Sequence, residues 1–153
     1  MICITSEGDR LELMIEQRSC NSTLLFEKIF FLGYNNIMKK LLIVEDEVLQ
    51  GQLLKEELEE EGYEVELVLS GKDALEKVEV TNYNCIILDI YLPGMDGLET
   101  MGRILSKNRQ IPVILYSSYS SYQDNFLSWA ADAYLIKSSD LTELKETIKR
   151  LAL

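Results

Sequence analysis

The chain has 153 residues, 47% hydrophobic and 27% charged, a balance that suits one domain with its own core and excludes a disordered tail. With 15 Lys and Arg against 26 Asp and Glu the net charge is -11, so the cationic surface that a phosphate backbone demands is missing and direct nucleic-acid binding is not expected. No His occurs, which excludes His-based triads, His zinc ligands and a histidine phosphodonor among the chain's own side chains.

Cys3, Cys20 and Cys85 are widely spaced with no C-x-x-C. That pattern fits a reducing compartment, with the cytoplasm as the expected location, rather than a disulfide frame or a metal knuckle. Residues 1–37 open without a basic n-region, and their apolar stretch LLFEKIFFLGY is broken by Glu27 and Lys28 and is too short for the ~20 residues of a membrane span. They read as a loosely ordered extension, with an amphipathic helix around Thr23–Leu32 as the alternative. At Met38 the character changes, because MKKLLIVEDE joins a basic pair to a buried-strand run. Residues 38–153 are therefore the expected domain.

From there strands and helices alternate. Leu41–Val44, Cys85–Leu88, Val113–Tyr116 and Ala133–Ile136 are short runs apolar on both faces, as parallel strands covered on both sides must be. Glu64–Leu69 alternates charged with apolar residues and predicts an edge strand. Leu54 and Leu58 mark a helix that Gly62 ends; Ala74, Leu75 and Val78 mark a second after the Ser70-Gly71 turn. Leu98, Met101 and Leu105 predict a third, Tyr122, Phe126 and Trp129 a fourth. Leu141, Leu144, Ile148 and Leu151 predict a fifth, with Ser139 or Asp140 to cap it. This order, strand then helix five times over, predicts an open, five-stranded, parallel doubly wound α/β sheet with five right-handed crossover helices.

Ligands of such sheets bind in the crevice at the carboxyl ends of the strands, and there the sequence places Glu45 and Asp46, Asp89, Ser117 and Ser118, and Lys137. Three converging carboxylates raise one another's pKa and resist ionising together. A divalent cation relieves that repulsion, and ligands that are all oxygen point to a hard ion, Mg2+ when phosphate completes the shell. A lone lysine opposite suits phosphate as a point charge. The turn Leu92-Pro93-Gly94-Met95-Asp96-Gly97 supplies a rigid exit after Asp89.

LLIVEDE, IILDIYLPGMDGLE, IPVILYSS and ADAYLIKS together resemble the strand-and-loop motifs of bacterial two-component response-regulator receiver domains, and the likeness covers Met38 to Leu153. The resemblance implies a flavodoxin-like receiver fold and phosphorelay signal transduction. It makes Asp89 the phosphoacceptor. It implies that Asp46 and Asp89 ligate Mg2+ directly, Glu45 largely through water, and the Tyr91 backbone carbonyl as a further ligand. It pairs Lys137 with the phosphoryl group, turns Ser117 inward as the switch hydroxyl and makes Tyr134 the aromatic switch residue. The implied partners are a histidine kinase or histidine phosphotransfer protein and a downstream effector in trans. A homodimer through the fourth helix, fifth strand and fifth helix is a further implied assembly. The resemblance implies no enzyme beyond self-phosphotransfer and slow autodephosphorylation. With nothing after the last helix, a stand-alone receiver is expected.

Departures from the pattern are Ser138 where Pro commonly follows the lysine, Ser117 where Thr is commoner, and Ser118 for a common Ala. Tyr91 and Tyr119, two residues after the phosphoacceptor and the switch hydroxyl, are both bulky and predict a long-lived phosphoryl group. Three rival readings are a degenerate receiver that binds partners without being phosphorylated, an Asp-based Mg-dependent phosphatase of the haloacid-dehalogenase type, and an FMN carrier. The phosphatase would need a second Asp at position 91, and Glu45 and Asp46 would repel a flavin phosphate.

Overall fold

The computed structural model describes residues 5–6, 11–12, 38–119 and 126–152. The chain divides into two units, Met1–Ile37 and Met38–Leu153. In the first, Thr5–Ser6 pairs antiparallel with Leu11–Glu12; the amphipathic helix considered around Thr23–Leu32 lies outside the described residues.

The second unit runs β1 (Lys40–Val44), α1 (Val48–Glu60), β2 (Glu64–Val68), α2 (Gly71–Val80), β3 (Cys85–Leu88), α3 (Gly97–Lys107), β4 (Val113–Ser117), a 3-10 helix (Phe126–Ala130), β5 (Ala133–Ile136) and α4 (Thr142–Leu151). The five strands form one sheet in the order β2-β1-β3-β4-β5, all pairs parallel. The order reverses beside β1, where the chain steps outward to β2 and returns to β3. That switch point opens the crevice in which ligands of such sheets bind.

Alternate residues of each central strand feed two cores. Leu42, Val44, Ile86, Leu88, Val113 and Leu115 pack with Ala74 of α2 and Leu98, Met101 and Ile104 of α3. Leu41, Ile43, Cys85, Ile87 and Ile114 pack with Leu54 and Leu58 of α1 and Leu144 and Ile148 of α4. Each large side chain so buried contributes about 1.5–3 kcal/mol. Because both faces of these strands are apolar, hydrophobicity alone fixes their register weakly. Side-chain clamps on the backbone supply the missing specification. The Lys40 N–H donates to Asn84 Oδ1 at 2.9 Å while the Asn84 N–H donates to the Lys40 carbonyl at 2.8 Å. Asp132 and Val113 make the same two-way clamp at 2.9 Å in each direction.

Local signals behave as their chemistry requires. Gly62 follows α1 at φ +90, a conformation that costs a side chain but not glycine. The Ser70 hydroxyl caps α2 by accepting from the Asp73 N–H at 3.2 Å. The last helix differs: its N-cap is Leu141, which makes no side-chain cap bond, instead of Ser139 or Asp140, although the Asp140 carboxylate accepts from the Thr142 N–H at 2.9 Å.

Two expectations need correction. The fourth helical pattern is, among the described residues, the short 3-10 helix; Tyr122 lies outside them, and Trp129 is 70% exposed instead of joining a core. β5, read as covered on both faces, is last in the sheet order and so an edge strand, in which only Leu135 is buried and Ile136 is exposed.

Strand β2, the predicted edge, carries an ion-pair cluster. Glu66 meets Lys40 at 2.8 Å and Lys77 at 3.1 Å and accepts from the Tyr83 hydroxyl at 2.7 Å. The bond from Lys40, then that from Tyr83, hold its carboxyl down at about 2. A carboxyl depressed on folding stabilises above its unfolded value of 4.5, and the gain is lost as pH falls through the folded value. Glu66→Gln is therefore expected to lower the melting temperature at neutral pH and to lose less than the wild type between about pH 4.5 and 2, as checked by calorimetry across that range.

Candidate functional site

At the carboxyl end of the sheet the ladder continues one residue past β1 and past β3: the Glu45 N–H donates to the Val68 carbonyl and the Asp89 N–H to the Val44 carbonyl, both at 3.0 Å. This fixes the backbone of both carboxylates at the switch point. Glu45 is 5% and Asp89 7% exposed, whereas Asp46, one residue on, is exposed. One carboxylate oxygen from each of Glu45, Asp46 and Asp89 can be chosen so that all lie within 4.8 Å of one another. At that distance two unit charges repel by roughly 3–4 kcal/mol for an effective dielectric of about 20.

Lys137 comes from the end of β5, hung on β4 by its N–H to the Ser117 carbonyl at 2.8 Å. Its ammonium reaches Glu45 Oε2 at 2.5 Å and Asp89 Oδ2 at 2.7 Å. The Gln50 side-chain carbonyl, in the first turn of α1, accepts from it at 3.5 Å. Burial alone would lower the lysine's pKa, but its bonds to Asp89 and Glu45 outweigh that and leave it raised. Glu45 moves the opposite way from a paired carboxylate. Burial raises its pKa, and Lys137 offsets this only in part while the Asp89 charge adds to it.

Ser117 is fully buried at the end of β4 and its hydroxyl accepts from the Tyr119 N–H at 3.4 Å. Tyr134, half-buried on β5, donates from its hydroxyl to the Tyr119 carbonyl. The Tyr91 N–H donates to Asp89 Oδ1 at 3.3 Å. The rings of Tyr91 and Tyr119 meet with centroids 4.8 Å apart, tilted by 52°, so an aromatic pair bridges the loops that leave β3 and β4.

Glu45, Asp46, Asp89 and Lys137 are thus brought together as the sequence expects. Ser117 and Tyr134 are joined to each other through the backbone of Tyr119, and Tyr91 reaches Asp89 through its N–H. Sequence reasoning missed Gln50, whose place on the first turn of α1 carries no compositional signal. It also missed the Tyr91–Tyr119 ring contact, although equal offsets after two neighbouring strand ends could have revealed it. The Lys137-Ser138 bond is not cis, like every other bond among the described residues.

The donor set is all oxygen, and three carboxylates against one ammonium leave negative charge uncompensated. The cluster therefore fits a hard divalent cation better than it fits an anion or a soft metal.

Residues 41–149 match the response regulator receiver domain. The chain belongs to that family. It is similar to the transcriptional regulatory protein PcoR of Escherichia coli, 36% identical over 116 residues, covering 74% of this chain and 51% of PcoR. To the response regulator ArlR of Staphylococcus saprophyticus it is 37% identical over 116 residues, covering 74% and 52%. The chain spans about half the length of these relatives. Among solved structures it is similar to the response regulator TrrA of Thermotoga maritima in complex with Mg2+-BeF, with TM-score 0.73 and 47% identity over 74% of this chain and 99% of TrrA. TrrA in complex with the histidine kinase ThkA aligns at TM-score 0.71 with the same identity, over 74% of this chain and 98% of TrrA. The receiver is a domain of two-component signalling, and no helix among its described residues is long and apolar enough to cross a membrane.

Removing the lysine from this receiver isolates the test of its charge balance. Lys137→Met should destabilise the metal-free protein at neutral pH by about 3–5 kcal/mol, because two buried carboxylates lose their shared partner. The deficit should shrink on acidification, as Glu45 takes up a proton from a pKa already raised. Denaturant unfolding in a chelator at two pH values checks both.

Proposed function

We propose that this receiver accepts a phosphoryl group on Asp89 from the histidine of a partner kinase or phosphotransfer protein, and that phosphorylation alters a surface read by an effector in trans. The observation that carries this reading is the buried Asp89 carboxylate held 2.7 Å from the Lys137 ammonium inside the Glu45, Asp46 and Asp89 cluster. The Mg2+-BeF complex of TrrA and the ThkA–TrrA assembly support it by likeness.

Asp46 and Asp89 would hold Mg2+ directly, Glu45 largely through water and Tyr91 through its carbonyl. When bound, Mg2+ neutralises charge on the phosphoryl oxygens. An Asp89 oxygen attacks phosphorus in line; the P–N bond to the donor histidine breaks, its electron pair stays on the imidazole, and no oxidant or reductant is needed. Lys137 turns from Glu45 and Asp89 toward the arriving oxygens, exchanging one set of charge-assisted bonds for another. Ser117 then bonds the phosphoryl group and Tyr134 follows, a population shift between two packings of one fold. Residues 38–153 carry this activity, with 1–37 a dispensable extension. The cytoplasm is the proposed location.

Incubation with Mg2+ and a small acyl phosphate, followed by intact-mass measurement, tests this without knowledge of the kinase. The wild type should gain one phosphoryl group and Asp89→Asn none, because an amide is a poor nucleophile; equal uptake by both would refute the assignment.

The Tyr91–Tyr119 pair sets the expected lifetime. A water must line up behind phosphorus to hydrolyse the acyl phosphate, and rings beside that approach remove near-attack geometries. The labelled wild type should decay over minutes to hours once donor is removed, and Tyr91→Asn and Tyr119→Ala should decay faster; a wild-type half-life of seconds would contradict the role of the pair.

A further inference from the structure

The loop that leaves Asp89 returns to it at the first residue of α3. The Gly97 N–H donates to the Ile90 carbonyl at 2.8 Å, and Asp96 caps the helix by accepting from the Glu99 N–H at 2.8 Å. A Cβ on residue 97 would lie 2.0 Å from the Asp89 carbonyl oxygen, 2.9 Å from its carbon and 2.7 Å from Ile90 Cα. These are backbone atoms of Asp89, the buried residue whose carboxylate meets Lys137, and of its neighbour Ile90, and no rotamer change clears them. Gly102 on the same helix has nothing within 4 Å of such a Cβ, and Gly71 would meet first the Thr100 side chain, at 2.1 Å.

We propose that Gly97 is a positioning residue: the bare backbone of α3 braces the Asp89 peptide, and this brace holds the carboxylate in register with Glu45, Asp46 and Lys137. Any side chain here forces α3 outward or pushes Asp89 toward the crevice. In either case the carboxylate loses the geometry shared with the lysine and the cation. Alanine is the better helix former, so propensity alone predicts the opposite outcome, a gain in stability.

The inference rests on the reading of Asp89 as phosphoacceptor. The test uses the full chain and four proteins: wild type, Gly97→Ala, Gly102→Ala and Gly71→Ala. Mg2+ affinity is measured by calorimetry, labelling by acyl phosphate and intact mass, and folding by melting temperature, all assays being run well below melting. Gly97→Ala should bind Mg2+ about 10–100-fold more weakly, as when the support behind a metal ligand is removed. It should label about a hundredfold more slowly, as for a misplacement of about 1 Å. Gly102→Ala should match the wild type, and Gly71→Ala should lose melting temperature while keeping Mg2+ affinity and labelling rate.

Gly97→Ala within twofold of the wild type in both measurements would overturn the brace, as would equal losses of Mg2+ affinity in Gly71→Ala. Should Gly97→Ala fail to fold, Asp96→Ala loosens the same first turn while keeping the glycine. It is expected to weaken Mg2+ in the same direction by a smaller factor, and unchanged affinity there would also overturn the proposal. Failure of the wild type to label at all would instead refute the acceptor role of Asp89, which separates the two outcomes.

Discussion

Three carboxylates crowded at a strand switch point, with one ammonium between two of them, make the constraint on which the rest of this molecule depends. Burial removes the water that would screen Glu45 and Asp89, so the pair is tolerable only because Lys137 bonds both. An arrangement of that kind is weak evidence for stability, since desolvation can exceed the Coulombic gain. Its value is that the site is poised between two forms of compensation. In this structure the lysine serves the carboxylates; on the proposed reading a cation and a phosphoryl group would take over that compensation and release it.

The sheet exists in a form that makes such poise possible. Ladder bonds carried one residue beyond β1 and β3 immobilise the backbone of Glu45 and Asp89, while Asp46 stays in solvent, where exchange of water and ions is fast. Two apolar layers hold the strands from both faces, and polar clamps at the opposite end, from Asn84 and Asp132, prevent them from sliding. Sliding would matter: a slip of one residue exchanges the faces of every side chain on a strand and would turn Asp89 away from Lys137.

Much of this was legible in the sequence for a physical reason. Leu41–Val44, Cys85–Leu88 and Val113–Tyr116 are apolar on both faces because helices cover both, as a buried parallel strand requires. The acidic residues and Lys137 were legible because they directly follow those runs. Ala133–Ile136 misled, since an apolar tetrapeptide does not say whether a helix will cover it, and among the described residues between β4 and β5 there is a short 3-10 helix. Phe126 and Trp129 are three apart, a spacing that an α-helix and a 3-10 helix share, and they fall in the latter. Gly97 was visible as part of a turn. Its contact with the Asp89 carbonyl was not, because close approach of two backbones leaves no trace in side-chain periodicity.

The bond from the Lys137 N–H to the Ser117 carbonyl has a mechanical meaning. The hydroxyl of one residue and the ammonium of the other hang from a single rung, and the next bond along couples Ser117 to the Tyr119 N–H. Through the Tyr119 carbonyl the rung also carries the Tyr134 phenol. Displacement at the rung is therefore shared by a hydroxyl, a cation and an aromatic side chain at once, and the three form one lever with a common pivot.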